Sequence, residues 1–231
     1  MNNLMKLSEL LKIKKGITSV IGGGGKTTLL HILADELKER ESVVITTTTH
    51  IMKSDVYHNV VLDGRCDLSY LSELISQHNC IALGSRYIGD KLSPPDLSFN
   101  DLREVCDYVL VEADGSKHLP LKAHLENEPI IPKENKKTIL VLGIDSVSKR
   151  VKDVVHRCEK FCELLGCSED DIVTVEMIAS LLKLEKLHDM VVINKCDTQE
   201  LKSLALKLSL MIEKECVITS LLKGEWNVSS N

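Results

Sequence analysis

The amino-acid sequence predicts an α/β fold with a doubly wound, mostly parallel sheet. Seven short apolar runs alternate along the chain with segments whose apolar residues recur at helical spacing, and this order is typical of strand–helix–strand units. Most of the runs are apolar throughout, as expected for parallel strands that are covered on both faces. Ligands of such sheets bind at the carboxyl ends of the strands. Polar residues that directly follow a strand are therefore the first candidates for function.

The predicted elements follow one another in a regular order. The strand candidates are residues 17–21, 42–46, 80–83, 108–111, 138–142, 190–193 and 216–219. A helix is predicted to open at Lys26 and to continue through Leu37, and the apolar stripe from Leu201 to Ile212 predicts another helix with one buried face. Residues 84–100 and 115–137 lack regular patterns and contain all five prolines. Long loops of this kind in a compact domain are often functional.

Composition narrows the class of protein. The chain has 231 residues, 43% of them hydrophobic, which is enough to bury a sizeable core. We expect a single domain over residues 1–231, with residues 1–15 as an N-terminal helical lead-in. The formal net charge is -5 and no basic block stands out, so nucleic-acid binding is not expected. The sequence contains neither a signal-peptide pattern nor a run of about 18 apolar residues, which predicts a cytoplasmic protein that does not enter membranes.

A glycine-rich segment separates the first predicted strand from the helix that opens at Lys26. It consists of Gly22, Gly23, Gly24, Gly25, Lys26, Thr27 and Thr28. A phosphate-binding loop needs small residues whose amides can face an anion, a helix N-terminus, a lysine for the outer phosphates and a hydroxyl for Mg²⁺. Lys26 and Thr27 would supply the last two, and the segment therefore predicts a single domain of the P-loop NTPase type.

The loop departs from the standard pattern at its start. The pattern GxxxxGK[ST] would need glycine where this chain has Val20. A related variant, xKGGxGK[ST], would need lysine where the chain has Ile21. Nucleotide binding is therefore predicted more firmly than nucleotide turnover.

Acidic residues follow the fourth predicted strand. Glu112 comes directly after it, and Asp114 and Gly115 lie in the loop beyond. A carboxylate in this position can bind Mg²⁺ through its water or orient an attacking water molecule, while the Gly115 amide could sense a γ-phosphate. Lys26, Glu112 and Asp114 are the candidate catalytic residues, and either acid could serve the metal.

A run of threonines follows the second predicted strand. Thr46 to Thr49, with His50 after them, offer hydroxyl groups at the same edge of the predicted sheet. Oxygen ligands are those that Mg²⁺ prefers, and Thr27, Glu112 and Thr49 are the predicted Mg²⁺ ligands. Because threonine is also a good strand former, a structural role for any single one is the alternative.

A second nucleotide motif follows the sixth predicted strand. Asn194-Lys195-Cys196-Asp197 fits the Asn-Lys-x-Asp motif of GTPases, which we call the tetrad. The Asp197 carboxylate could accept both guanine N1–H and N2–H₂, whereas adenine lacks both donors. The Lys195 stem could cover the base and Asn194 could tie the loop to nearby backbone. A charge-assisted hydrogen bond of about 1.5–3 kcal/mol corresponds to a roughly 10- to 150-fold preference for guanine.

Eight cysteines are spread along the chain, and without an export signal free thiols are expected. Cys158, Cys162 and Cys167 form the one local group, with His156 nearby. Cys158 and Cys162 would share a helix face. Their spacing matches no CxxC zinc motif, and free cysteine is common in cores, so structural thiols are expected.

The motifs together resemble two groups of proteins. The phosphate loop, Glu112-x-x-Gly115 and the tetrad resemble the GTPases that help to insert nickel or cobalamin into enzymes. A closer resemblance is to the YqeC family of accessory proteins for selenium-dependent molybdenum hydroxylases. It is carried by the blocks Val20 to Thr28, Thr46 to His50, Val109 to Lys117, Leu119 to Ala123, Glu128 to Pro132 and Val154 to Arg157.

The resemblance implies a role in maturing or supplying a molybdenum hydroxylase. A basic set could then bind an anionic cofactor or partner: Lys117, His118, Lys122, His156 and Arg157. Considered one at a time, each of these is as readily a solvated surface charge.

Three classes of function follow. The first is a GTP-dependent accessory protein with GTP and Mg²⁺ as ligands, and the enzyme or its cofactor as partner. The second is an ATP-dependent small-molecule kinase whose tetrad is accidental. The third is a scaffold that binds nucleotide without turnover.

Overall fold

The computed structural model describes residues 5–62 and 67–228. Cys66 lies outside these ranges. The α-helices of the described ranges are α1 (Leu7–Leu10), α2 (Lys26–Leu37), α3 (Leu68–His78), α4 (Phe99–Val105), α5 (Val151–Val154), α6 (Cys158–Leu165), α7 (Val175–Glu185) and α8 (Gln199–Ser209). None of these helices has both the length and the apolar content that crossing a membrane requires.

The strands build one large sheet and two small ones. Their bounds are β1 (Gly16–Gly22), β2 (Val43–Thr47), β3 (Ile51–Met52), β4 (His58–Val61), β5 (Cys80–Gly84), β6 (Tyr87–Ile88), β7 (Lys91–Leu92), β8 (Tyr108–Glu112), β9 (Leu121–Lys122), β10 (Asn135–Gly143), β11 (Val155–His156), β12 (Met190–Asn194), β13 (Cys216–Ser220) and β14 (Glu225–Val228). Short 3₁₀ helices follow β10 at Ile144–Ser146 and β13 at Leu221–Lys223.

The large sheet has nine strands in the order β14-β13-β12-β10-β1-β8-β2-β5-β4. β8 pairs in parallel with β1 and β2, and β5 pairs in parallel with β2 and β4. β12 lies parallel to both β10 and β13, whereas β14 joins β13 antiparallel at the edge. The predicted α/β class with a mostly parallel sheet is confirmed, and the glycine-rich loop between β1 and α2 identifies its P-loop NTPase type.

All seven predicted strands are present, and each ends one residue beyond its predicted end. Glu112 and Asn194 are consequently the last residues of β8 and β12. Two strands of the large sheet had not been predicted, β4 and β14. Both lie at the edges of the sheet. An edge strand pairs with another strand on one side only and is less buried, so it needs no continuous apolar run.

The segments predicted to be irregular contain some regular structure. Residues 84–100 include β6, β7 and the start of α4, and residues 115–137 include β9 and the first residues of β10. The predicted lead-in contains one four-residue helix, α1. In α8, Ala205 and Leu208 are buried as predicted, but Met211 lies beyond the helix and is 43% exposed.

The Cα positions form two compact units. The first contains the residues up to Val20, Leu29–Gly115 and Ile130–Lys137. The second contains Ile21–Thr28, Ser116–Pro129 and the residues from Thr138 onward. The single domain expected from the sequence stays a prediction.

In the first unit, Asp107 joins the amino ends of β1, β2 and β8. Its carboxylate accepts hydrogen bonds from the Ser42 amide at 3.0 Å and the Ser42 hydroxyl at 2.8 Å, and pairs with Lys15 at 2.9 Å. Its backbone carbonyl accepts from the Gly16 amide. The Lys15 ammonium first, and then the Ser42 donors, hold the pKa of this carboxyl well below its usual range.

We predict that Asp107→Asn lowers the free energy of unfolding by about 1–2 kcal/mol near neutral pH, because charge-assisted hydrogen bonds are lost. A carboxyl with a lowered pKa in the folded state stabilises the fold above its unfolded pKa of about 3.9 and loses this effect as the pH falls further. Urea unfolding of wild type and variant should therefore differ at neutral pH and converge in acid. The exposed Asp96, changed to Asn, is the control, and equal stability of Asp107→Asn and wild type at neutral pH would contradict the prediction.

Candidate functional site

The phosphate loop lies where the sequence predicted it. β1 ends at Gly22 and α2 begins at Lys26. Within the second unit, the Gly23 amide donates to the Val141 carbonyl at 2.9 Å and the Gly24 amide donates to the Leu119 carbonyl at 3.2 Å. These two amides thus hold the loop against the protein. The amides that can face a phosphate are those from the start of α2, where helix geometry leaves donors without intrahelical partners.

Two of the loop glycines occupy positions that no other residue fits. Gly24 has a φ of +76°, and a Cβ there would stand 2.4 Å from the Gly143 amide nitrogen. Gly25 has a φ of +131°, and a Cβ there would stand 2.5 Å from the Asn194 side-chain nitrogen. Both the backbone conformation and the space therefore require glycine.

The Lys26 side chain folds back over the loop. Its Nζ donates to the Gly22 carbonyl at 2.7 Å and to the Ser116 hydroxyl at 3.3 Å, and the residue is only 4% exposed. A buried ammonium needs such acceptors. A phosphate oxygen carries more negative charge than either and is the stronger acceptor, so a bound phosphate could take over the ammonium.

Asn194 joins the tetrad to the phosphate loop. Its Nδ2 donates to the Gly24 carbonyl at 2.7 Å. Its Oδ1 accepts from the Thr219 hydroxyl at 3.1 Å and from the Leu221 amide at 3.0 Å. The side chain is 4% exposed and uses both ends of its amide. One buried residue therefore ties the phosphate loop, the end of β12 and the turn after β13 together.

Asp197 is exposed and Lys195 is half-buried, whereas Cys196 is buried. The Asp197 carboxylate accepts a short hydrogen bond from the Ser220 hydroxyl, and its carbonyl accepts from Lys223 at 2.8 Å. Lys195 has a φ of +64°, a conformation uncommon outside glycine, and its Nζ lies 3.2 Å from the Asp145 carboxylate. Ser220, the last residue of β13, thus contacts the tetrad directly.

The acidic tip belongs to the first unit. Glu112 lies opposite Val20 and Thr47 in the sheet register, and its carbonyl accepts from the Thr47 hydroxyl at 2.8 Å and the Thr48 amide at 3.2 Å. The Thr49 amide donates to the Thr47 hydroxyl at 2.9 Å. The threonine run and the acidic strand end are therefore neighbours, because β2 pairs directly with β8.

The predicted site residues divide between the units. The first holds Glu112, Asp114, Gly115 and Thr49, and both acids are buried. The second holds the loop from Gly22 to Thr28 and the tetrad. Because Thr27 lies in one unit and Glu112 and Thr49 in the other, the shared Mg²⁺ site stays a prediction.

Sequence reasoning missed several contacts of the site. Ser116 contacts Lys26, Asp145 contacts Lys195, and Gly143 packs against Gly24. Gly143 ends β10 and Asp145 follows it, so their position after a predicted strand was the signal that could have identified them.

The residues of the basic set differ in their exposure. The alternative of a solvated surface charge does not describe Lys122, which is buried. The Lys122 side chain is fully buried and lies 3.3 Å from the Glu128 carboxylate, which also pairs with Arg157 at 3.0 Å. Burial first, and then the charges of Lys122 and Arg157, lower the pKa of His156. Lys117 and His118 are exposed. Ion pairing therefore holds Lys122 and Arg157, while Lys117 and His118 face solvent.

Comparison with known proteins identifies the family of the chain and solved structures that it resembles. Residues 18–159 match the model of the family described as "YqeC protein", a span that contains every block from Val20 to Arg157 named above. A protein of Escherichia coli strain K12, described as "Uncharacterized protein YqeC", is 33% identical over 174 residues, covering 72% of this chain and 67% of that protein. The crystal structure of the signal recognition particle 54 kDa protein from Aeropyrum pernix K1 in complex with GDP aligns with a TM-score of 0.40 at 13% identity. That alignment covers 94% of this chain but only 44% of the other.

We predict that Asn194→Ala lowers the free energy of unfolding by about 2–4 kcal/mol, because it leaves the buried Gly24 carbonyl and Leu221 amide without their partner. Urea unfolding of the full chain measures the loss. The control is Asn100→Ala, since Asn100 is an exposed residue of α4. A loss no larger than that of the control would show that Asn194 does not hold the site together.

Proposed function

Because the chain belongs to the YqeC family, we propose that it is a P-loop protein that binds guanine nucleotides and serves as an accessory protein in the maturation or cofactor supply of a selenium-dependent molybdenum hydroxylase. The family and the P-loop type of fold support nucleotide binding. The observation that carries the choice of nucleotide is the hydrogen bond between Asn194 and the Gly24 carbonyl. It joins a phosphate loop to a guanine-type tetrad within one unit.

The phosphate loop would bind the phosphates through two kinds of donor. Lys26 supplies a single ammonium that would exchange its bonds to Gly22 and Ser116 for phosphate oxygens. The amides and helix dipole at the start of α2 supply the rest. Thr27, in the first turn of α2, is the proposed Mg²⁺ ligand of the second unit because Mg²⁺ prefers oxygen donors.

Asp197 would read the base. Each carboxylate oxygen has two lone-pair positions, so the bond from Ser220 leaves room for the two guanine donors. Ser220 donates to the Asp197 carboxylate and Lys223 donates to the Asp197 backbone carbonyl, and these two bonds hold the residue in place. Lys195, fixed by Asp145, would cover the base with its stem.

Hydrolysis would require an acid and a metal in addition to these contacts. Glu112 and Asp114 are the proposed acids of the first unit, with Gly115 and Thr49 beside them in sequence or register. A Mg²⁺ ion would offset the charge of the phosphates. The exposed Lys117 and His118 are the proposed contacts for an anionic cofactor or client in the cytoplasm.

A nucleotide-binding scaffold without turnover is the second candidate. It is favoured by the hydrogen bonds that the loop makes to the protein itself. The Gly23 amide, the Gly24 amide and the Lys26 ammonium all donate to protein groups. Val20 and Ile21 also stand where catalytic P-loops have glycine or lysine.

We predict that the wild-type protein with Mg²⁺ binds GTP about 10- to 150-fold more tightly than ATP, and that Asp197→Asn weakens GTP binding and strengthens xanthosine triphosphate binding. An asparagine amide donates to the xanthine 2-oxo group, which a carboxylate cannot do. Titration with fluorescent nucleotides measures all three affinities, with Asp96→Asn as control. Tighter ATP binding by the wild type, or an unchanged base preference in Asp197→Asn, would refute guanine selection.

We predict that Lys26→Ala slows phosphate release from GTP by at least about a hundredfold, because the loop loses its cation at the transferred phosphate. Removal of Mg²⁺ with a chelator should have a similar effect. Lys183→Ala, which alters an exposed lysine of α7, is the control. Equal, slow release by wild type and Lys26→Ala would favour the scaffold.

A further inference from the structure

A cluster of thiols and carboxylates lies around α6, within the second unit. Cys158 is the first residue of α6 and Cys162 follows one turn later. Residues four apart share a helix face. Both side chains are half-buried, as is that of Cys167, whereas Cys80, Cys106, Cys196 and Cys216 are buried. These three cysteines are therefore placed differently from the other described ones.

The end of α6 returns the chain to its own last turn. Gly166 adopts the left-handed conformation with a φ of +65°, and its amide donates to the Cys162 carbonyl at 2.8 Å. The Cys167 amide donates to the same carbonyl at 3.2 Å. This turn brings the backbone of Cys167 back against the Cys162 carbonyl.

Two carboxylates complete the cluster. The Cys158 sulfur and one oxygen from each of Glu159 and Glu169 lie within 4.8 Å of one another. The Glu169 carbonyl accepts from the Lys152 amide at 3.0 Å, which anchors that residue.

The charge around the cluster is negative. The nearby lysines pair with other acids, Lys152 with Asp170 and Lys160 with Glu163. A bound cation would be attracted by Glu159 and Glu169 and would replace the protons of the thiols that bind it.

We propose that Cys158, Cys162, Cys167 and Glu169 form a binding site for a thiophilic divalent cation of the Zn²⁺ class, with Glu159 as the alternative carboxylate. Three thiols and one carboxylate supply the four ligands of a tetrahedral site. Zinc–sulfur bonds of about 2.3 Å place the sulfurs of such a site about 3.8 Å apart. Cys158 and the two carboxylates are already within 4.8 Å of one another, and side-chain rotation would bring the Cys162 and Cys167 sulfurs to them.

The chemistry of the donors separates this site from the nucleotide site. Thiolates select Zn²⁺ and related ions over Mg²⁺, which prefers oxygen. The binding thiols would each release a proton to solvent as the metal–sulfur bonds form. The sequence indicated structural thiols because no CxxC pattern is present. The turn at Gly166 nevertheless brings Cys167 back to the last turn of α6, next to Cys162.

Titration of the full-length, reduced protein with Co²⁺ tests the proposal. We expect one ion per chain, with the sulfur-to-cobalt charge transfer and the intense visible bands of tetrahedral Co²⁺, and displacement by Zn²⁺. Cys162→Ser and Glu169→Gln should each weaken Co²⁺ binding at least about tenfold. Cys106→Ala and Glu163→Gln are the matched controls for the thiol and the carboxylate.

A second measurement keeps the proposal testable if a cysteine variant does not fold. Zn²⁺ should protect Cys158, Cys162 and Cys167 of the wild-type protein from alkylation, as measured by mass spectrometry of digested peptides. No protection, a weak octahedral Co²⁺ spectrum, or equal affinity in Cys162→Ser and Cys106→Ala would each overturn the proposal. Because GTP affinity is measured separately, failure here leaves the proposed nucleotide function untouched.

Discussion

The hydrogen bond from the Asn194 side chain to the Gly24 carbonyl is the constraint on which the candidate site depends. It spans 170 positions of sequence and is buried, so losing it would leave a backbone acceptor without a partner. Its geometry also explains the loop composition. Since the Asn194 nitrogen stands where a side chain at residue 25 would begin, Gly25 must be glycine. The position of Asn194 thus limits which residue can stand at position 25, and the Gly24 carbonyl in turn fixes the Asn194 side chain.

The contacts of the phosphate loop also determine which hydrogen-bond donors can reach a bound anion. The Gly23 and Gly24 amides bond to protein carbonyls, and Lys26 bonds to Gly22 and Ser116. Anion binding therefore relies on donors at the start of α2 and on an ammonium that can change partners. The protein acceptors around Lys26 keep a buried charge solvated. A phosphate oxygen carries more negative charge than the Gly22 carbonyl or the Ser116 hydroxyl and is therefore a stronger acceptor than either.

The chain separates hard and soft donors. The proposed oxygen donors are Glu112 at the end of β8, Asp114 in the loop after it and Thr27 in the first turn of α2, and oxygen donors suit Mg²⁺. Sulfur donors gather around α6, far along the sequence, and suit Zn²⁺. The proposed Mg²⁺ ligands and the proposed Zn²⁺ ligands therefore differ in donor chemistry.

The sequence by itself determined the seven central strands, the phosphate loop at the junction of β1 and α2, and the tetrad at the end of β12, because each depends on apolar runs and motifs within a few residues. It missed β4 and β14, whose edge positions relax the apolar pattern. Only the tertiary structure decided that Asn194 reaches Gly24, that Asp145 holds Lys195, that Lys122 is buried beside Glu128, and that Gly166 turns Cys167 back to Cys162. These contacts depend on backbone conformation and on packing between segments distant in sequence, and no local pattern encodes them.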